Sequence, residues 1–162
     1  MAPALRTPAF ALSLMLVSAA PLVAQDLTDV PMPLLDAIEA GGVACAEQGG
    51  DFDMGVGALV QVDLDGDTEA DWVLDEAYFA CSTAASLYCG TGGCPVHLSV
   101  GDVAATLQAQ SWEVAVTATG RHVLLATLHG VHCDGYGTTH CVGALTWDAE
   151  TSGWRSATVV LE

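Results

Sequence analysis

Six cysteines constrain this chain more than any other feature: Cys45, Cys81, Cys89, Cys94, Cys133 and Cys141. An even set of cysteines in an oxidising compartment reads as a disulfide framework, and such a framework limits how far the chain between paired residues can stray. Cys89 and Cys94 flank Gly90-Thr91-Gly92-Gly93, while Cys133 and Cys141 flank a second loop rich in Gly and Thr, so these are the expected short-range pairs. Cys45 and Cys81 are then left to each other. That third bridge closes the longest loop, and chain entropy assigns it the largest stabilisation, ~3–4 kcal/mol.

The N-terminus agrees with an oxidising destination. Arg6 is the only charge before Asp26, an apolar run covers residues 9–17, and small residues crowd positions 18–24. Residues 1–24 read as a secretory signal, too short to span about 30 Å of hydrocarbon comfortably. Cleavage is expected after Ala24, because Pro21 disfavours cutting after Ala20. No Cys follows that site, so a lipid anchor is not expected, and nothing later resembles a membrane span. Residues 25–162 then form one acidic, disulfide-rich domain, periplasmic or secreted. Lys and Asn are absent while Ala, Gly and Val abound, which is how a GC-rich bacterial genome writes protein.

All 20 carboxylates of the chain lie at or beyond Asp26, against Arg121 and Arg155 alone. The balance after cleavage is 2 − 20, or −18. Nucleic acids and anionic membranes need positive charge to displace their counterions, so neither is an expected partner. Cations and basic partners are favoured. The plain alternative is a well-solvated acidic surface.

Periodicity organises the rest. Residues 33–47 place Leu34, Leu35, Ile38 and Cys45 at near-helical spacing behind a proline start, with Gly41-Gly42 weakening the second half. The period then becomes two. Residues 56–62 read as a strand entering an acidic loop, and residues 72–74 as a strand leaving it. Residues 82–94 read as an irregular excursion held by a disulfide. Further strands are expected at 95–100, 103–109, 112–118, 122–129, 142–148 and 154–161, separated by Gly-containing turns. Residues 122–129 are apolar on both faces and suggest a central strand. The fold class is α+β, an N-terminal helix packed on an antiparallel meander and braced by disulfides.

The loop between the first two strands names a ligand. Asp63, Asp65, Asp67, Glu69 and Asp71 stand at alternate positions of Asp-Leu-Asp-Gly-Asp-Thr-Glu-Ala-Asp. A hard cation such as Ca²⁺ takes six to eight oxygens at roughly 2.3–2.6 Å, and this spacing wraps a short loop around one. A helix-loop-helix calcium site would need Glu where Leu74 stands, and its flanks would be helices. Residues 62–74 instead resemble the FG-GAP/VCBS calcium hairpin of integrin-type β-propellers. That resemblance implies that the carboxylates of Asp63, Asp65, Asp67 and Asp71 bind Ca²⁺, together with the main-chain carbonyl of Glu69. The family usually has Gly where this chain has Thr68, a position that prefers positive φ. There is a single copy, whereas a propeller needs several blades. The alternative is an exposed, hydrated acidic turn without metal.

The acidic hairpin, the segment from Cys81 to Cys94, and Leu128-His129-Gly130 before the last cysteine pair together resemble a group of exported bacterial proteins without an established activity. A second metal candidate is the histidine set His129, His132 and His140, which a Cys133–Cys141 bridge would draw together, with Asp134, for Zn²⁺ or Cu²⁺. Its alternative is a Gly-rich surface loop with incidental histidines. His97 and His122 fall in strands and read as half-buried side chains. No nucleophile elbow or phosphate-cradling loop is present, and Asp75 and Glu76, adjacent in a strand, face opposite ways and make a poor acid/base pair. The four tryptophans could line a glycan platform but read more simply as packing. These readings converge on an exported, non-catalytic binding or structural module that holds Ca²⁺ structurally. One alternative is an inhibitor or capture protein for a cationic partner, such as a lysozyme-like enzyme or a basic peptide, with the Cys89–Cys94 tip as contact loop. The other is a transition-metal protein built on the three histidines.

Overall fold

A computed structural model describes residues 27–160. The expected signal segment and its cleavage site at residues 1–24, and Leu161 of the last expected strand, lie outside the described residues. Helix α1 spans Met32–Glu47, with Pro31 at its N-cap fixing φ at −57°. No side chain caps its first turn, no acidic residue complements its dipole, and two glycines interrupt it. Packing therefore holds it more than propensity does. Leu34 and Cys45 are fully buried, and the Cys45–Cys81 disulfide fastens the C-terminal end.

Ten strands follow. They are β1 (Phe52–Met54), β2 (Leu59–Val62), β3 (Asp71–Asp75), β4 (Phe79–Cys81), β5 (Cys94–Val100), β6 (Val103–Ala109), β7 (Ser111–Val116), β8 (His122–Leu128), β9 (Cys141–Asp148) and β10 (Gly153–Val160). Every pairing is antiparallel. The meander divides into two four-stranded sheets, ordered β2-β3-β5-β6 and β10-β9-β8-β7, with β1 and β4 as a separate ribbon. The short β1 and β4 carry too little alternation for the sequence to mark them as strands. Residues 56–58 are a turn rather than the start of β2. Val56 is 91% exposed there, and Gly57 takes φ +100°, where a Cβ would come 3.2 Å from the Tyr78 ring. Residues 117–118 belong to the turn after β7, not to the strand.

The first sheet is covered on both faces, and its central strand shows how. In β3, Val73 points into a core shared with the second sheet, where Val96, Leu98, Leu124, Ala126 and Leu145 meet it. Its neighbours Trp72 and Leu74 point the other way, toward Leu34, Ile38 and Phe79 under the helix. Helix, sheet and sheet thus form three layers, and strand β8 is interior to its sheet, as its apolar run suggested. Phe52, Phe79 and Tyr88 pack edge to face at centroid distances of 5.0, 5.4 and 5.9 Å beside the helix. The Tyr88 hydroxyl donates to the Gly41 carbonyl at 2.8 Å.

Three disulfides join Cys45 to Cys81, Cys89 to Cys94 and Cys133 to Cys141. They fit an extracellular or periplasmic protein. Among the described residues no helix is long and apolar enough to cross a membrane.

Candidate metal centre

The β2–β3 hairpin carries the acidic loop. Carboxylate oxygens of Asp63, Asp65 and Asp71 converge to within 4.8 Å of one another. The loop is held in shape by its own side chains. Asp63 accepts from the Gly66 and Thr68 amides at 2.6 and 3.0 Å, Asp65 from Asp67 N at 2.9 Å, and Asp67 from Glu69 N at 2.7 Å. Leu64, at the second loop position, is the apolar pin: only 3% exposed, it sits in the core between the sheets, and its amide donates to Asp71 Oδ2 at 2.9 Å. Thr68 takes φ +78°, the left-handed backbone that favours glycine, at the position where the resembling hairpins carry Gly.

Of the four expected carboxylate ligands, Asp67 stays outside the convergent set, and Glu69 is expected through its main-chain carbonyl rather than its side chain. The carboxylates of Asp67 and Glu69 are not part of the three-residue group. The donors that do converge are all carboxylate oxygens, with no sulfur or imidazole among them, which is the chemistry of a hard divalent cation. Partial burial raises the pKa of Asp71, and the charges of Asp65, Asp67 and Asp63 raise it further against the opposing Leu64 hydrogen bond. Carboxylates gathered this closely favour either a proton or a cation between them.

Sequence reading passed over one structural partner of the loop. His122, at the start of β8 in the second sheet, places Nδ1 2.8 Å from the Asp63 carbonyl and 3.5 Å from Asp63 Oδ1. A carbonyl can only accept, so Nδ1 carries the proton. The loop is therefore anchored to the opposite sheet as well as to its own hairpin. The signal was faint: a strand-opening histidine is common, and only its cross-sheet register reveals the contact.

His129, His132 and His140 are not drawn into a comparable group among the described residues. His129 caps a short 3₁₀ turn (Gly130–Cys133), with Nδ1 facing the Val131 amide at 3.4 Å. Asp75 and Glu76 are engaged separately, but they are not adjacent strand residues as expected: β3 ends at Asp75, and Glu76 opens a 3₁₀ turn (Glu76–Tyr78) that Asp75 caps. Asp75 is 9% exposed and accepts from the Trp112 indole at 2.8 Å and the Ala77 amide at 2.9 Å, linking the two sheets. Glu76 meets His97 Nε2 at 2.7 Å, and the other ring nitrogen lies 3.0 Å from the Thr106 hydroxyl.

Two clefts flank the acidic loop, and Asp65 lines both. One, about 720 Å³, lies toward the helix start and is bordered by Asp29, Asp67, Asp71, Asp102 and the apolar Met32 and Trp72. The other, about 640 Å³, lies toward the turns of the second sheet. No protein-family model, curated protein or solved structure matches the chain.

Proposed function

We propose that this chain is an exported, non-catalytic binding or structural module whose acidic hairpin holds one Ca²⁺ as a brace. The observation that carries this reading is the convergence of Asp63, Asp65 and Asp71 on one small volume. The left-handed Thr68 supports it, because that backbone matches the glycine position of the calcium hairpins that the loop resembles. Asp63, Asp65 and Asp71 would supply carboxylate oxygens, with Asp67 and the Glu69 carbonyl as the remaining candidates. Metal content and thermal stability of protein recovered from the periplasm, in Ca²⁺ and in EDTA, test this directly. One Ca²⁺ per chain and a fall in Tm on chelation are expected, and Asp65→Ala should remove the difference. No bound calcium and no shift would leave the loop a hydrated turn.

A second reading has its own observation. The helix-side cleft gathers Asp29, Asp65, Asp67, Glu69, Asp71 and Asp102 without a basic residue in its lining, next to exposed apolar surface at Met32. Such a surface suits a cationic partner, whose aliphatic stems would lie on Met32 and Trp72. Retention of a basic peptide at low salt, lost steeply as salt rises, is the expected behaviour. Salt-insensitive retention would count against it.

A further inference from the structure

Basic side chains are scarce in this protein: three in the whole sequence, against 20 carboxylates. Arg6 precedes the described residues. The other two, Arg121 and Arg155, line the same cleft on the second-sheet side of the acidic loop. Their roles differ. Arg155 is hydrogen-bonded through Nε and Nη2 to Asp148, and that contact holds the Asp148 carboxyl below its usual pKa. The backbone of Arg121 closes the β7–β8 turn with Thr117, while its guanidinium has no hydrogen-bond or ion-pair partner among the described residues. Arg121 is exposed, so its guanidinium is open to a ligand at the cleft mouth.

The rest of the lining narrows the ligand chemistry. Trp147 forms the aromatic wall, and its ring is fixed edge to face against Trp154 with centroids 5.5 Å apart. Asp65 borders the cleft from the acidic loop, and Glu150 contributes a carboxylate that is not bound to either arginine. A simple anion would pair with Arg121 but offer Glu150 no donor, and a simple cation would leave Arg121 without a partner. A polyhydroxylated ring with one carboxylate satisfies both. Its hydroxyls donate to Glu150, its carboxylate takes the forked guanidinium, and its apolar ring face lies on the indole. The cleft volume, about 640 Å³, is that of a small-ligand site.

We propose that this cleft binds an acidic saccharide, a uronic-acid ring, with Arg121 holding the carboxylate and Trp147 the sugar face. The site does not depend on calcium in the neighbouring loop. The test titrates the protein with trigalacturonate and with neutral maltotriose, in Ca²⁺ and separately in EDTA, followed by amide and indole NMR shifts. Saturable binding of trigalacturonate is expected, with shifts confined to residues 119–121 and 147–150 and the Trp147 indole. Maltotriose should bind about tenfold more weakly, which is the worth of one charge-assisted contact. Arg121→Gln should reduce trigalacturonate to the maltotriose level, and Arg121→Lys should recover part of the loss. Equal binding of the neutral sugar, an unaffected Arg121→Gln variant, or no saturable binding in either buffer would each overturn the proposal. Because both buffers are run, a failure of the calcium reading leaves this result interpretable.

Discussion

At Asp71 burial and three neighbouring carboxylates push the same way, and both favour the protonated form. The linkage sign follows. A carboxyl whose folded pKa lies above its unfolded value stabilises the fold below the unfolded pKa and loses that contribution as pH rises through the folded pKa. Metal-free protein should therefore gain stability on mild acidification from neutral pH, until other carboxylates protonate. Asp71→Asn, which keeps an acceptor for the Leu64 amide, should raise Tm in EDTA at neutral pH. In Ca²⁺ the same substitution removes a donor and should lower Tm. Melting curves in the two buffers should thus show opposite signs, and equal signs would remove Asp71 from the metal set. Thr68 poses a separate question of backbone cost. Left-handed geometry costs an L-residue about 1–2 kcal/mol, and glycine gives back about 0.4–1 kcal/mol through its freer unfolded state. Thr68→Gly should then stabilise by roughly 0.5–1 kcal/mol, read as a higher denaturant midpoint with unchanged slope.

Helix α1 and the acidic hairpin show what one sequence can and cannot announce about its elements. The helix was legible because apolar spacing and a proline start are local signals, and Cys45 told which end would be fastened. The two glycines inside it were legible as weaknesses but not as different kinds of residue. A Cβ on Gly41 would come 2.9 Å from Phe79 Cε2, while one on Gly42 would sit 3.7 Å from Phe52 Cδ1, an ordinary contact. Gly42→Ala should stabilise by about 0.5–1 kcal/mol, and Gly41→Ala should destabilise because the aromatic ring must shift. Equal effects in urea melts would mean that propensity alone governs the helix. In the hairpin the alternating acids were plain, since ligand spacing is written along the chain. Its supports were not: Leu64 and His122 act on the loop from the sheet packing, 3D information that no period of two encodes. The split into two sheets was hidden for the same reason, because the strands of both sheets are antiparallel and show the same alternation. The unpaired Arg121 also became visible only when three turns met at one cleft.

Net charge acts on the molecule as a whole, and it bears on how any calcium response must be interpreted. The sequence carries −17 at neutral pH, and the carboxylates of a folded chain repel one another over distances that salt controls. The screening length falls from about 30 Å at 0.01 M salt to about 8 Å at 0.15 M. Any salt should therefore stabilise this fold in EDTA over that range, with no site involved. A bound Ca²⁺ adds a different increment, which depends on the ratio of free ion to Kd and not on ionic strength: about 2.7 kcal/mol at a hundredfold excess over Kd. The two separate when Ca²⁺ is added at a fixed ionic strength already high enough to screen. Under those conditions about 1 mM Ca²⁺ should raise Tm by roughly 8–12 °C if its Kd lies near 10 µM. Matched Mg²⁺, which is smaller and gives up its waters reluctantly, should do much less. Asp65→Ala should keep the salt response and lose the calcium increment, since it removes one charge of many but one of three convergent donors. If Mg²⁺ equals Ca²⁺, or if the variant still answers calcium in full, the stabilisation belongs to the acidic surface as a whole and the hairpin is no brace.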